Sequence, residues 1–322
     1  MFASRFTRRA LAALALTLTP LAAVHAADPI RLVVGFAPGG GVDTLARVTA
    51  QALSKELDRT VIVENKSGAG GTISADYVSK SQADGNTLLF ADTSLLVAPY
   101  IYPALRYDLQ RDFAPIGMVG QSDLALAVPG DSPVKTVAEL VEAIRKSPAQ
   151  TETFASVGVG SVHHLGGELF ALKTQTELVH VPYRGGAPAS QALASGEVSM
   201  SFASLASSIG LANSGRIRLL ATLSERRFPG MPDLPSVSET IPGYSVTPSL
   251  FMLAPQNVDP ALIATISKAL ENSMQQKQVQ DAFLAQGSVA GYQNAQATEQ
   301  WLGEETERWA NVIKTAQLDF KQ

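Results

Sequence analysis

The sequence has no cysteine, and charged residues make up only 17% of its 322 positions. Without cysteine there are no disulfide bonds, and we expect no thiol-linked lipid anchor. Lysine and arginine (25) are fewer than aspartate and glutamate (29), so the dense basic surface that nucleic acids require is not expected. No apolar run reaches the roughly 20 residues of a membrane span. These shortages exclude disulfide-stapled, nucleic-acid-binding and membrane-spanning proteins.

The first 26 residues read as a signal peptide. Arg5, Arg8 and Arg9 precede an apolar run over residues 10–24, and small residues allow cleavage after Ala26. The arginines resemble a twin-arginine signal only weakly, so the general export route is favoured. Cleavage removes three arginines and no acid, which changes the net charge from −4 to −7. We expect a freely diffusing exported protein that binds any anion through a local site.

A strand, a glycine-rich loop and a helix follow one another repeatedly. Residues 30–36 are short and β-branched, residues 38–41 are Pro-Gly-Gly-Gly, and residues 42–57 have apolar side chains at helical spacing. The same order recurs over residues 60–81. This alternation predicts an α/β fold of mixed, mostly parallel sheets flanked by helices, with the loops after the strands gathered at one ligand-binding edge.

A length of 322 residues and 46% hydrophobic content suggest two domains with a core each. A second series of strands and helices begins near Leu124, and proline and glycine are dense from Pro229 to Pro248. We therefore expect two lobes. Residues 27–126 with 250–322 form the first, and residues 127–249 form the second.

Three glycine-rich turns at predicted helix starts are candidates for anion binding: residues 38–41, 68–71 and 156–161. The first amides of a helix have no internal partner, and the helix dipole adds partial positive charge there. Glycine lets a ligand approach the backbone closely. A carboxylate can therefore bind without lysine or arginine. One such turn is commonly only a tight connection, but three at one edge predict a site.

Other polar residues are weaker candidates. His163 and His164 have no third ligand at zinc spacing, so no metal site is expected, although either can donate a hydrogen bond to an anion at a helix start. His180 lies in an apolar strand and is expected in the core. Arg184 follows a strand end, where a cleft contact and a structural ion pair are both open. No nucleophile elbow, phosphate loop or dinucleotide motif occurs, so we expect no enzyme activity and no cofactor.

Eight segments carry the motifs of a known family. They resemble, in order and over nearly the whole chain after the signal peptide, the motifs of the Bug receptors, the periplasmic solute receptors of tripartite tricarboxylate transporters. The segments are Pro29–Val34, Phe36–Asp43, Val63–Gly71, Asp84–Leu88, Asp112–Ile116, His164–Phe170, Val181–Gly186 and Pro232–Val237.

The resemblance implies a type II periplasmic binding fold that closes on a carboxylated ligand in the manner of a Venus flytrap. Family members hold a ligand carboxylate through main-chain amides and ordered waters of two loops, which correspond here to residues 39–41 and 68–71. The second lobe contributes through positions such as Ser156, Ser161 and His164.

Two positions depart from the family pattern. Ala203 stands where an aspartate is frequent, which argues against an amino acid or other cationic ligand. Asp92, beside Thr93 and Ser94, stands where small hydroxyl residues are usual. It either meets a donor group of the ligand or caps a turn, and the cap is favoured.

The sequence therefore predicts a monomeric periplasmic receptor that captures a small organic acid and delivers it to a membrane permease. Signalling to a sensor kinase is the alternative. Dicarboxylates, tricarboxylates, aromatic acids and small acids such as pyroglutamate all stay open as ligands. The predicted ligand-binding residues are Phe36, Gly39, Gly40, Gly41, Gly68, Ala69, Gly70, Gly71, Asp92, Thr93, Ser94, Ser156, Gly158, Ser161, His164, Arg184 and Ala203.

Overall fold

The chain forms two β-sheets, each flanked by helices. A computed structural model describes residues 28–102, 104–183 and 185–315, so the predicted signal peptide lies outside the described residues. The strands are β1 (Ile30–Val34), β2 (Val61–Asn65), β3 (Thr87–Asp92), β4 (Phe113–Ser122), β5 (Leu124–Pro129), β6 (Thr153–Ser156), β7 (Val179–Pro182), β8 (Met200–Ser204), β9 (Ile217–Thr222), β10 (Ser249–Pro255) and β11 (Ser288–Asn294).

The α-helices alternate with the strands. They are α1 (Gly41–Glu56), α2 (Thr72–Ser79), α3 (Ser94–Ile101), α4 (Val137–Lys146), α5 (Val162–Thr174), α6 (Gly186–Ala194), α7 (Leu205–Asn213), α8 (Pro260–Gln275), α9 (Lys277–Ala285) and α10 (Ala295–Thr315). Within the described residues, no helix combines the length and the apolar character needed to cross a bilayer.

Both sheets are mixed. The first has the strand order β11-β4-β10-β3-β1-β2 and the second β7-β6-β8-β5-β9. Among the described strands, four pairings are parallel and five antiparallel. The parallel share is thus lower than the sequence predicted. The reason is that β4 and β5, between which the chain crosses to the second sheet, and β10, where it returns, are antiparallel to their neighbours. Strand β11 is likewise antiparallel to β4.

The chain leaves the first sheet at Asp123 and returns at Ser249. The predicted boundary after residue 126 lies inside β5, and the division into lobes stays a prediction. Helix α10 packs against both sheets. Its Leu302 packs with the first sheet, whereas Trp309 and Ile313 belong to the apolar cluster of the second.

Buried apolar residues explain why these segments form sheets. Strand β1 is almost entirely buried, and its Leu32 and Val34 pack with Leu45 and Leu53 of α1 on one face. On the other face Val33 packs with Val78 of α2. A strand covered on both faces reads as a continuous apolar run, which is how β1 appears in the sequence.

The strand directions bring the predicted loops to facing edges. Leu250 of β10 pairs antiparallel with Asp92, so the carboxyl ends of β1, β2 and β3 lie where β4 ends and the chain crosses. In the second sheet Leu124 pairs with Ser204, so the carboxyl ends of β8 and its parallel neighbour β6 lie at the same crossing. The loops after these strands therefore face one another across the crossover.

Candidate ligand-binding site

The first glycine loop presents free main-chain donors. Helix α1 begins at Gly41 after the N-cap Gly40, and within the described residues no hydrogen bond is made by the amides of Gly41, Val42 and Asp43. A Cβ added at Gly39 or Gly41 would meet no atom within 4 Å. The start of α1 therefore has unpaired N–H groups and open space beside them, as an anion site requires.

The carboxylate of Asp43 holds this loop in shape. It is 1% exposed and accepts hydrogen bonds from the Gly39 amide (2.8 Å), from Arg47 Nε (2.9 Å) and from Asn65 Nδ2 (2.7 Å). Asn65 also donates to the carbonyl of Phe36 (3.0 Å). Burial opposes the ionisation of Asp43, but these hydrogen bonds outweigh it and lower the pKa of the carboxyl below 3.8. Asp43 is thus a permanent anion whose donors are all supplied by the chain.

The second glycine loop has an unusual backbone. Gly68, Ala69, Gly70 and Gly71 have φ values of 136°, 48°, 61° and 90°. The left-handed region is unfavourable for alanine, and such strain concentrates at functional sites. Within the described residues, the amides of Ala69 and Gly70 make no hydrogen bond. Successive amides in such turns form concave anion sites, so this loop offers two further donors.

The second glycine loop packs against Gly35, which lies between β1 and the first glycine loop. A Cβ at Gly35 would lie 2.5 Å from the Cα of Gly71 and 2.7 Å from the hydroxyl oxygen of Ser74, so only glycine fits at position 35. Tyr102 borders the second loop, since a Cβ at Gly70 would lie 3.7 Å from its hydroxyl oxygen. The donors of the second loop and the Tyr102 phenol therefore lie next to each other.

The Asp92 loop is built into the framework. Asp92 accepts a hydrogen bond from the Ser94 amide (2.9 Å), which closes an Asx turn just before α3. Burial raises the pKa of Asp92 to about 6, against the effect of its hydrogen bonds from Ser94. The buried Thr93 accepts from the Ser249 amide (2.8 Å). These contacts tie β3 to β10. A Cβ added at Gly71 would lie 3.5 Å from Cδ2 of Leu95, so Leu95 borders the second glycine loop.

In the loop of residues 156–161, which follows β6 in the second sheet, the serine hydroxyl groups already make hydrogen bonds within the protein. Ser156 is buried and bonds the Gly158 amide (3.1 Å) and His180 Nε2 (2.6 Å). Ser161 caps α5 by accepting from the His164 amide (3.2 Å), and it donates to the Gly158 carbonyl (2.7 Å). These predicted ligand residues maintain the loop that surrounds them.

His164 also braces this loop. Its Nδ1 accepts from the Gly160 amide (3.1 Å), and its Nε2 lies 3.3 Å from Glu168 Oε1. Its ring stacks on His180 with centroids 3.7 Å apart, and His180 stacks on Phe154 at 4.9 Å. Burial, and secondarily the proximity of His164, lower the pKa of His180 to about 3. His180 therefore stays neutral within an aromatic stack.

Two predicted residues add no polar side chain to the site as described. Ala203 is buried in β8 opposite Ala125 and brings only a methyl group to this part of the sheet. Arg184 lies outside the described residues, so its two alternatives stay open.

The loops of the two sheets approach closely. A Cβ at Gly160 would lie 2.0 Å from Cδ1 of Ile101 at the end of α3. Val162 of α5 and Val97 of α3 belong to one buried cluster, with Ile101 packed against it. The start of α5 therefore lies against the first-sheet side.

Two surface grooves lie on the first-sheet side. One, of 660 Å³, is lined by Arg31, Lys66, Tyr77 and neighbouring residues. The other, of 580 Å³, lies between α8 and the start of α10. None of the predicted ligand-binding residues lines either groove. Within the described residues, no three potential metal ligands cluster.

Sequence reasoning missed the residues that shape the first-sheet loops. Asp43 and Asn65 stand inside motif segments but were not predicted as site residues, and Tyr102 carried no signal for a role at the loops. Their partners are 22 residues away (Asp43 to Asn65) and about 30 residues away (Gly70 to Tyr102) in the sequence. The Asp43–Arg47 spacing of four on a helix was the one local clue.

The sequence and the fold match one receptor family. The model of the tripartite tricarboxylate transporter family receptor matches residues 45–318. The protein BugT from Bordetella pertussis is 33% identical over 300 residues, which is 92% of this chain and 92% of BugT.

Solved structures agree. A protein from R. palustris solved with adipate is 30% identical, with a TM-score of 0.83 over 90% of this chain and 98% of that one. MatC from Rhodopseudomonas palustris, solved with bound malate, is 26% identical, with a TM-score of 0.77 over 88% of this chain and 98% of that one.

Proposed function

The chain belongs to the tripartite tricarboxylate transporter family of receptors, and on that premise we propose that it captures a small organic carboxylate in the periplasm and delivers it to a membrane permease. The members of this family are receptors rather than enzymes. The family description names a transporter, which favours transport over signalling. Both uses would employ the same closed form and would differ only in the protein that recognises it.

The observation that carries the proposal is the group of unpaired main-chain donors on the first-sheet side. Within the described residues, the unpaired amides are those of Gly41, Val42 and Asp43 at the start of α1 and those of Ala69 and Gly70 in the second loop, and this second loop packs against Gly35 at the end of β1. Gly41 and Gly70 are exposed, so their N–H groups are open to an approaching acceptor. A ligand carboxylate with its ordered waters supplies the acceptors that the chain does not.

The site uses no cationic side chain as its principal donor. Arg47, the basic residue nearest the first loop, is bound to the Asp43 carboxylate. Main-chain N–H groups can bind carboxylates of differing shape, because water fills the space that a smaller ligand leaves. Such donors recognise the carboxylate group itself. Selectivity among different carboxylates must then come from other residues of the cleft.

The test removes one main-chain donor without disturbing the helix. Gly41 is the first helical residue, where proline is well tolerated, and Gly40 before it has φ −74° and ψ 165°, a conformation compatible with a following proline. Gly41→Pro deletes the N–H group, whereas the matched control Gly41→Ala keeps it and meets open space.

A thermal-shift screen of small carboxylates on the unchanged protein first identifies a ligand, which at 100 times its Kd should add about 2.7 kcal/mol of stability. Calorimetry should then show roughly a tenfold or greater loss of affinity for Gly41→Pro and little change for Gly41→Ala. Absence of binding by any carboxylate, or equal affinity in the two variants, would contradict the proposal.

A further inference from the structure

Helix α3 contributes to the apolar clusters of both sheets. Its Leu95 and Leu96 belong to the cluster that contains Val33 of β1, on the first-sheet side. Its fully buried Val97 belongs instead to the cluster of the second sheet. This helix of eight residues therefore has one face in each core, and a movement of one sheet relative to the other must change its surroundings.

The last residue of α3 fits against a glycine of the second-sheet side. A Cβ at Gly160 would lie 2.0 Å, 2.6 Å and 3.5 Å from Cδ1, Cγ1 and Cγ2 of Ile101. The Ile101 side chain thus occupies the space that a side chain at position 160 would need. Gly160 is buried and has a φ of +73°, which favours glycine. The two residues fit together as a knob and a hole.

The contact between α3 and the 156–161 loop is apolar. Within the described residues, no hydrogen bond joins the two segments. The polar groups of the loop have partners on the second-sheet side, since Ser156 bonds His180 and the Gly160 amide donates to His164. When this contact separates, no hydrogen-bonding group loses its partner, so the contact can form and break without the cost of an unpaired polar group.

The residue after Ile101 contacts the opposite loop. Tyr102 lies beside Gly70 of the second glycine loop, and its amide bonds the Ala98 carbonyl (2.9 Å), so its position is fixed by that of α3. Two consecutive residues at the end of α3 therefore contact two loops, Ile101 that of the second sheet and Tyr102 that of the first.

We propose that Ile101 is a positioning residue for ligand binding: its contact with Gly160 holds the 156–161 loop against the first-sheet side in the ligand-bound form and separates when the ligand leaves. This inference rests on the proposed function. Ile101 does not touch the ligand. It acts through the fraction of molecules in the closed form, and the apparent affinity of a ligand falls with that fraction.

The first test shortens the Ile101 side chain and leaves every proposed donor in place. The probe is the acid among malate, adipate, citrate, pyroglutamate and benzoate that most stabilises the unchanged protein in a thermal-shift screen. Ile101→Ala should weaken its binding about tenfold, chiefly through faster dissociation in stopped-flow measurements, because the lost contact belongs to the bound form. Ile101→Val should recover most of the affinity. Tyr100→Ala is the control on the same helix, since Tyr100 is 43% exposed, and it should bind as the unchanged protein does.

A second test fills the same space from the other side. Gly160→Ala places a methyl group where Ile101 lies and should weaken binding of the probe more than Ile101→Ala does. Adding Ile101→Ala to Gly160→Ala vacates that space and should restore part of the affinity. The backbone strain at position 160 is the same in both variants, so the recovery reports the contact alone.

Melting of the probe-free protein separates positioning from a purely structural role. If the contact forms only on closure, probe-free Ile101→Ala should melt close to the unchanged protein, and the probe should raise its melting temperature less. A contact present equally with and without the probe gives the opposite pattern, in which the free protein loses stability and the affinity is unchanged.

Each outcome bears on the inference. Unchanged affinity in Ile101→Ala, an equal loss in Tyr100→Ala, or no recovery in the double variant overturns it and leaves the proposed function intact. If no carboxylate binds the unchanged protein, both proposals are wrong.

Discussion

The loops at the facing edges of the two sheets present different kinds of hydrogen-bonding group. We call the loops of the first sheet the first edge and those of the second sheet the second edge. On the first-sheet side the unpaired groups are main-chain amides, and the side chain of Asp43 serves to hold the loop that presents them. On the second-sheet side serines and histidines bond one another, and the ring nitrogens of His163 have no partner among the residues that the structure describes.

The difference separates general capture from selection. Main-chain amides are the same for every residue type and bind any carboxylate that reaches them. An imidazole has a fixed direction and one donor when neutral, so it distinguishes one ligand end group from another. We expect the first edge to set the ligand class and the second to set preferences within it. Three predictions sharpen this comparison.

The largest expected effect is at Asp43. Asp43→Ala removes the acceptor of the Gly39 amide, Arg47 and Asn65 and should lower the free energy of unfolding by about 3 kcal/mol. Because the pKa of Asp43 is lowered in the folded protein, its contribution is present above the unfolded pKa near 3.8. It is lost as the pH falls through the lower folded value. Urea unfolding from neutral to acidic pH measures both effects.

The exposed pair of Asp281 with Lys277 on α9 provides the control. Asp281→Ala should change stability by less than about 0.5 kcal/mol, because exposed ion pairs contribute little. Equal losses in the two variants would show that Asp43 does not organise its loop.

An intermediate effect is expected at the crossover between the edges. Asp123 is 5% exposed, and its Oδ1 has no partner within the described residues. Burial raises its pKa to about 6, against a hydrogen bond from Ser224. Because the pKa of Asp123 is higher in the folded than in the unfolded protein, its contribution to stability is most favourable below about pH 4. That contribution is lost as the pH rises to about 6.

Asp123→Asn removes this ionisation. It should raise the free energy of unfolding by about 2 kcal/mol at pH 7.5 and by little at pH 4, as measured by urea unfolding at both values. A gain of the same size at both pH values would mean that ionisation of Asp123 is not the cause.

The smallest effect concerns the cap of α5. Ser161→Ala should cost about 1 kcal/mol, a typical loss for an N-cap. Ser161→Asp also caps a helix and should retain stability, yet its negative charge beside the start of α5 should weaken carboxylate binding several-fold. Calorimetry and urea unfolding on both variants separate the two roles. If Ser161→Asp binds the carboxylate as tightly as the unchanged protein, the start of α5 does not contribute to ligand binding.

Much of the framework was predictable from the sequence. The apolar run of β1 and the helical spacing of Leu45 and Leu53 both reflect local burial patterns, and the structure confirms the strand and the helix. Helix α1 starts at Gly41, one residue before the predicted position. The predicted excess of parallel pairing was wrong, because a strand pattern does not reveal which way a distant strand such as β10 runs.

The sequence by itself determined the fold class, the family and the glycine turns, since strand and helix periodicities and glycine-rich turns are local in the chain. Only the tertiary structure decided which donors stay unpaired. Asp43 accepts a hydrogen bond from Asn65, Gly35 leaves room for Gly71, and His163, unlike its neighbours, has no side-chain partner in the described part of the chain. Hydrogen bonds and close packing act between groups brought together by folding, so the availability of a donor depends on residues far away in the sequence.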